Sequence, residues 1–335
     1  MPERQPRPVQ QGLFGSLDDL RPAQRADDSV APAVPAEELR RLGAQLPPTL
    51  RLGTSSWNFP GWRGLVYAAD APQKHLSRRG LAAYAQHPLL RTVGVDHTFY
   101  APATAATFAD YAAQVPADFR FLVKTFGELL QPRLPRQKAP NPRYLDADAF
   151  VVECLEPAQQ GLGDKLGVML LQFSPQGREL VREPRLFTDL LHAFLRRLPK
   201  GAPYAVELRD AALLNEEHVA ALRDCGAAHA FVVHPSMPPL ARQRELVPIT
   251  ADGGPVVLRW MLHAGFAYEQ AKERYEPFDR LVDVAPDSRA TIAAMAHDAL
   301  RCSVPMTVVV NNKAEGSSPL SVLELVKAIV AAGPG

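Results

Sequence analysis

The stretch YAVELRDAALLNEEHVAALRDCGAAHAFVV, residues 204–233, holds two hydrophobic periods side by side. Residues 204–208 are a short apolar run of strand length, and residues 215–225 carry apolar side chains at helical spacing. Asn215 is placed to cap that helix, Glu216 and Glu217 occupy its first turn, and Gly226 stands just past its end. A second apolar run, 229–233, follows at once. Strand, helix, strand is the repeating unit of a parallel α/β protein.

Working outward, the same alternation predicts further strands at 50–54, 92–98, 119–124, 166–173, 255–259 and 306–310. Helical spacing falls between them at 77–86, 105–114, 146–159, 184–197, 268–281, 288–302 and 319–332. Pro157 predicts a kink or split in the segment that contains it, and Ser318-Pro319 reads as a helix start. Residues 234–254 read as an irregular connection. Eight strands alternating with helices predict a (β/α)8 TIM barrel over residues 46–332; an open doubly wound sheet is the alternative.

Composition sets the rest of the frame. The chain has 335 residues, 37 basic against 36 acidic, and a net charge of +1, which excludes a nucleic-acid-coating or acidic solvating chain while leaving room for local patches. Proline is in excess at 32 residues, with Pro2, Pro6, Pro8, Pro22, Pro32, Pro35, Pro47 and Pro48 near the start. Residues 1–45 are accordingly predicted to be a disordered tail with one helical turn near 37–42. Its opening MPERQPRPVQ has no apolar signal core, and no run approaches the ~18 apolar residues of a membrane span. Cys154, Cys225 and Cys302 are scattered, as expected of free thiols in a cytoplasmic protein.

In a barrel, the residues just past each strand converge on one face, where chemistry is found. Strand one runs into Ser55-Ser56-Trp57-Asn58-Phe59-Pro60-Gly61-Trp62, and Trp57 and Trp62 are candidate stacking walls for a ring-bearing ligand. Strand two supplies Asp96, His97 and Tyr100. Strand three ends on Lys124, a lysine badly placed for a core. The loop after it, 131–143, has four cationic residues and no acidic one, a candidate rim for phosphates. Strand four adds Gln172; strand five adds Glu207 and Arg209, which project to the same side and need each other or a ligand. His234 follows strand six and Arg259-Trp260 ends strand seven. Asn311 and Asn312 precede a helix start suited to holding phosphate on free backbone N–H groups.

No phosphate loop, dinucleotide fingerprint, HExxH or nucleophile elbow is present. The chemistry on offer is acid/base and electrostatic, from Asp96, His97, Lys124, Glu207, Arg209 and His234. A divalent metal on Asp96, His97, Glu207 or His234 fits by residue type, with no supporting spacing.

The ordered set Gly53-Thr54-Ser55-Ser56-Trp57…Trp62-Arg63-Gly64, Thr98-Phe99-Tyr100, Phe119 to Lys124, Leu170-Leu171-Gln172-Phe173, Glu207-Leu208-Arg209 and Asn311-Asn312 resembles the DUF72 (YecE-like) family. The resemblance spans about residues 51–330 and implies a TIM barrel; it implies no reaction. The chain departs from the family at Gly94 and Asp96, where Glu and Asn are usual. It also lacks the Thr-His after strand three and the Trp after the Glu-x-Arg.

These residues lead to an expected enzyme, of the hydrolase type, acting on a phosphorylated or nucleic-acid-like substrate. Glu207 would serve as base or metal ligand, Lys124 and Arg209 as charge stabilisers. A carbohydrate-active barrel is the alternative. A third reading is a binding protein recruited to a sliding clamp, since Gln10, Leu13 and Phe14 resemble the short Gln-x-x-Leu-Phe peptides that dock on such clamps.

Overall fold

The computed structural model describes residues 29–134 and 139–333. Gln10, Leu13 and Phe14, and Arg136 and Lys138 of the cationic loop, lie outside the described residues. Eight parallel strands close in sequence order into one barrel, which removes the open-sheet alternative. They are β1 (Leu50–Thr54), β2 (Thr92–Val95), β3 (Arg120–Lys124), β4 (Leu166–Gln172), β5 (Tyr204–Glu207), β6 (Ala228–Val233), β7 (Val256–Trp260) and β8 (Met306–Val310). β8 closes onto β1 over five residue pairs, from Leu50 opposite Met306 to Thr54 opposite Val310.

Helices clothe the outside: α1 (Glu37–Gln45), α2 (Gln73–Tyr84), α3 (Ala105–Ala113), α4 (Ala147–Phe150), α5 (Glu156–Leu162), α6 (Arg178–Arg182), α7 (Pro184–Arg197), α8 (Glu216–Cys225), α9 (Leu240–Leu246), α10 (Tyr268–Tyr275), α11 (Pro286–Arg301) and α12 (Ser318–Ala331). The large core lies between them and the outward faces of the strands. A smaller cluster fills the barrel, built from Leu122, Val168, Leu170, Ala205, Ala228, Ala230, Val257 and Val309. These inward residues set the site above them. One further step of the two-residue alternation along β3, β4, β5 and β7 and past β8 reaches Lys124, Gln172, Glu207, Arg259 and Asn311.

Several elements have plain local causes. Asn215 caps α8 by accepting the His218 N–H at 2.9 Å, and Gly226 ends it in the left-handed conformation. Pro157 splits its segment as expected: lacking an N–H, it follows a π-helical turn over Val151–Leu155 that joins α4 to α5. α10 stops at Tyr275, short of 281, because Pro277 disfavours helical backbone at Glu276.

Three expectations change. β2 ends at Val95, not Thr98: the Thr98 hydroxyl donates to the carbonyls of Val95 (2.7 Å) and Lys124 (2.5 Å), turning 97–99 into a 3-10 helix. The connection 234–254 contains α9, held by Gln243, whose side chain accepts the Val232 N–H and donates to the Val232 and Pro238 carbonyls. Among the described residues, 29–45 is also not a loose tail. Residues 31–33 bond to 66–68 through Ala33 N–H to Val66 O and Ala68 N–H to Ala31 O, and α1 buries Leu42. The Arg91 guanidinium holds the C-terminal end of α1, donating to the carbonyls of Gly43 (2.6 Å), Leu46 (2.9 Å) and Pro47 (3.1 Å).

No helix among the described residues is long and apolar enough to cross a membrane, and all three cysteines are free. Arg91→Ala should therefore loosen α1 and lower stability by about 1–3 kcal/mol, the range for losing charged hydrogen bonds. Urea unfolding of the full chain checks this, and an unchanged midpoint contradicts the clasp.

Candidate active site at the barrel mouth

The side chain that organises the mouth is Arg259, at the end of β7 and without solvent exposure. It reaches across the barrel to three non-neighbouring strands. Nη1 donates to Glu207 Oε2 (2.9 Å) on β5 and to Gln172 Oε1 (3.0 Å) on β4. Nη2 donates to both oxygens of Asp96, each at 3.2 Å, just past β2. The other Glu207 oxygen pairs with Arg209 at 2.5 Å. Burial alone would push the Glu207 carboxyl up, yet Arg209, Arg259 and Lys124 together hold it at about 2. Glu207 is thus a fixed anion between two guanidinium groups.

Around this core stand two lysines without ion pairs among the described residues. Lys124 is 8% exposed, and its Nζ lies 3.9 Å from the centroid of the Phe99 ring. Lys313 is 7% exposed, with Nζ 4.2 Å from the Tyr268 ring centroid. Burial pushes each amine down to about 8, against the attraction of Asp96; Arg259 and Arg209 push Lys124 the same way as burial. Gly127 makes room for the Phe99 ring, since a Cβ there would meet it at 2.4 Å. Tyr100 and Tyr268 are the exposed aromatic faces of the rim, and Asp96 contributes to raising both phenols after burial has done so. His234 is pushed down to about 4 by burial and by Arg209. Its Nδ1 accepts the Ser236 N–H at 3.1 Å, which leaves the proton of the neutral ring on Nε2.

The structure brings together Asp96, Lys124, Gln172, Glu207 and Arg209, with Tyr100 and His234 at the edge. It separates others. Trp57 and Trp62 are buried: Trp57 Nε1 donates to Leu76 O (3.1 Å) and its ring meets Tyr111 edge-on, while Trp62 packs on Phe59. They close the barrel wall and present no face to a ligand. His97 lies against Tyr111, 6.0 Å between ring centroids, where burial pushes its ring down against the pull of Asp96. Asn312 is a helix cap: its Oδ1 accepts the N–H and hydroxyl of Ser318, each at 2.8 Å, and so occupies the position a phosphate was expected to take. Asn311 bridges to Ser55 Oγ (2.8 Å) and receives the Lys313 N–H.

The cationic loop is neutralised where it is described. Arg143 pairs with Glu128 and Glu153, and Arg133 with Glu179. A cavity of about 330 Å³ beside it, lined by Pro132, Arg133, Pro140 and Gln176 to Leu180, shares no lining residue with the Arg259 network. The expected metal set does not assemble either: both oxygens of Glu207 are held by guanidinium groups, and Asp96, His97, Glu207 and His234 do not bring three donor atoms together. Among the described residues, metal-type donors converge instead at His192, Asp224 and Cys225 on α7 and α8, on the outside of the barrel.

Arg259, Tyr268 and Lys313 are mouth residues not singled out from the sequence as site residues. Arg259 carried a signal, a charged residue closing the apolar run Val256-Val257-Leu258, the same signal that marked Lys124.

Arg259→Met should strand Glu207 and Asp96 and cost about 3–5 kcal/mol, read by chemical unfolding; a near-neutral effect contradicts the network. Because Glu207 titrates at about 2 in the fold against an ordinary 4.5, its stabilisation is complete above pH 4.5 and drains as pH falls towards 2. Glu207→Gln should flatten stability against pH across that window, and an unaltered acid limb contradicts the assignment.

Two solved structures share this architecture. A DUF72 family protein from Enterococcus faecalis V583 superposes with a TM-score of 0.54 at 18% identity, covering 84% of this chain and 95% of its own. One from Thermotoga maritima MSB8 gives 0.53 at 21%, covering 83% and 97%. No protein of curated function matches. The family model described as "Protein of unknown function DUF72" matches residues 51–334, and the chain belongs to that family.

Proposed function

We propose that this protein is an enzyme working at the mouth of its barrel on a small phosphorylated or nucleic-acid-like anion. The observation that carries the reading is a local charge imbalance: among the described residues Arg259, Arg209 and Lys124 share two carboxylates, Asp96 and Glu207, while Lys313 nearby is balanced by Asp96, Glu269 and Glu276 against Lys272. Low-dielectric walls concentrate that field, and an anion would complete it.

Roles divide by environment. Arg259 and Glu207 are consumed by each other and hold the frame. Lys313 and the outer part of Arg209 offer charge to the substrate, and Tyr100 and Tyr268 offer a flat face in place of the tryptophans. Asp96, 29% exposed, is the carboxylate of the pair that a substrate reaches, so it takes the acid/base part first considered for Glu207. Hydrolysis is compatible with this arrangement through a water activated by Asp96. A carbohydrate would stack on Tyr100 and Tyr268 instead of the buried Trp57 and Trp62, and would leave the cations of the mouth unused.

Inorganic phosphate should raise the melting temperature of the full chain in a saturable way, because a ligand of the native state stabilises it. Arg209→Ala and Lys313→Ala should each abolish most of that rise. No rise in the wild type, or an equal rise in both variants, overturns the reading.

A further inference from the structure

The mouth holds one group that an anion-binding role leaves unexplained. Lys124 lies deeper than phosphate binding needs, nine-tenths buried on a strand end, with its carbonyl pinned by Thr98 and its Nζ over the Phe99 ring. Its amine makes no hydrogen bond or ion pair among the described residues, although Asp96 and Glu207 are both near enough for their charge to be felt. Their oxygens are already committed to guanidinium groups. A lysine that only balanced charge would be expected to take one of those oxygens.

We propose that Lys124 is the nucleophilic amine of the site, forming an imine with the aldehyde or ketone carbonyl of a phosphorylated substrate. The assignment rests on the anion-binding reading above for the phosphate, and adds the reaction. Burial away from water and the nearness of cationic groups are the two devices by which proteins keep a lysine uncharged and reactive, while the ring face beneath the amine favours the ammonium. Both are present here, the second as Arg209 and Arg259. The fall of the amine to about 8 agrees with that geometry.

The step balances without a co-reactant. The nitrogen lone pair attacks the carbonyl carbon, the C=O π pair moves to oxygen, and the nitrogen proton passes to that oxygen to give a carbinolamine. The C–O bond then breaks, and hydroxide leaves as water with one added proton as the C=N bond forms. Asp96 is the group placed to carry that proton. The resulting iminium is an electron sink for breaking a bond one carbon away. Lys313, at the rim over Tyr268, is the anchor for the phosphate.

The test is reductive trapping on the full chain with glycolaldehyde phosphate and cyanoborohydride at neutral pH, followed by intact mass and peptide mapping. The chain has only eight lysines, so the adduct is readily placed. Lys124 should be modified about tenfold or more faster than an exposed lysine such as Lys74. Lys124→Arg and Lys124→Met should lose the fast adduct while Lys313→Met keeps a slower one. Modification spread over surface lysines, or Lys124 reacting no faster than Lys74, overturns the proposal; this result needs no variant to fold.

Inorganic phosphate separates this outcome from the reading it rests on. If phosphate still raises the melting temperature while Lys124 is unreactive, the imine falls and the anion site stands. If Lys124 reacts fast and phosphate neither protects it nor stabilises the chain, the amine stands and the anion site falls.

Discussion

A guanidinium buried at the centre of a barrel can find partners only inside the protein, and the arrangement of this mouth follows from how the two terminal nitrogens of Arg259 do so. Its partners come from the ends of β2, β4 and β5, none of them adjacent to β7. The interaction therefore crosses the barrel instead of running around its wall. The cost of burying the charge is offset only while Glu207, Asp96 and Gln172 stay in place, which couples four strand ends into one rigid floor.

That floor decides what the remaining charges can do. With Glu207 held between two arginines, it is removed from proton transfer and from metal binding. With Asp96 turned onto Arg259, the two lysines are left without carboxylate partners and settle over aromatic rings instead. Lys313 does so beside the exposed Tyr268 of the rim, and Lys124 deeper, over Phe99. Preorganised charge of this kind needs no rearrangement when an anion arrives, which is the condition under which electrostatics contributes most to binding and catalysis.

The barrel was legible because its signals are short and repeated. Each strand is an apolar run of few residues, and each helix start near 184, 216 and 318 has a cap or an N-terminal proline. What misled were residues whose role depends on distant partners. Thr98 has the branched side chain of a strand residue, but its hydroxyl finds two carbonyls and ends the strand. Trp57 and Trp62 sit in a loop by sequence and in the core by packing, since Leu76 on α2, Phe59 in the loop and Tyr111 on α3 receive them. α1 is ordered by Arg91, a residue 46 positions beyond its last turn's Gln45. The Glu207–Arg209 pair was readable from alternation alone. Arg259 as the second partner of Glu207 was not, because a charged strand end does not state which carboxylate across the barrel it meets. Lys313, in the turn after β8, had no local signal at all.

The account turns on the mouth being an anion site built on the Arg259 floor. A crystal of the full chain soaked in tungstate, with anomalous differences mapped at the metal edge, tests that most directly. The account predicts a peak above Arg259, within hydrogen-bond reach of Arg209 and of at least one of Lys124 and Lys313. A map with an empty mouth and tungstate bound only beside Arg133 and Arg178, at the separate cavity, would contradict it.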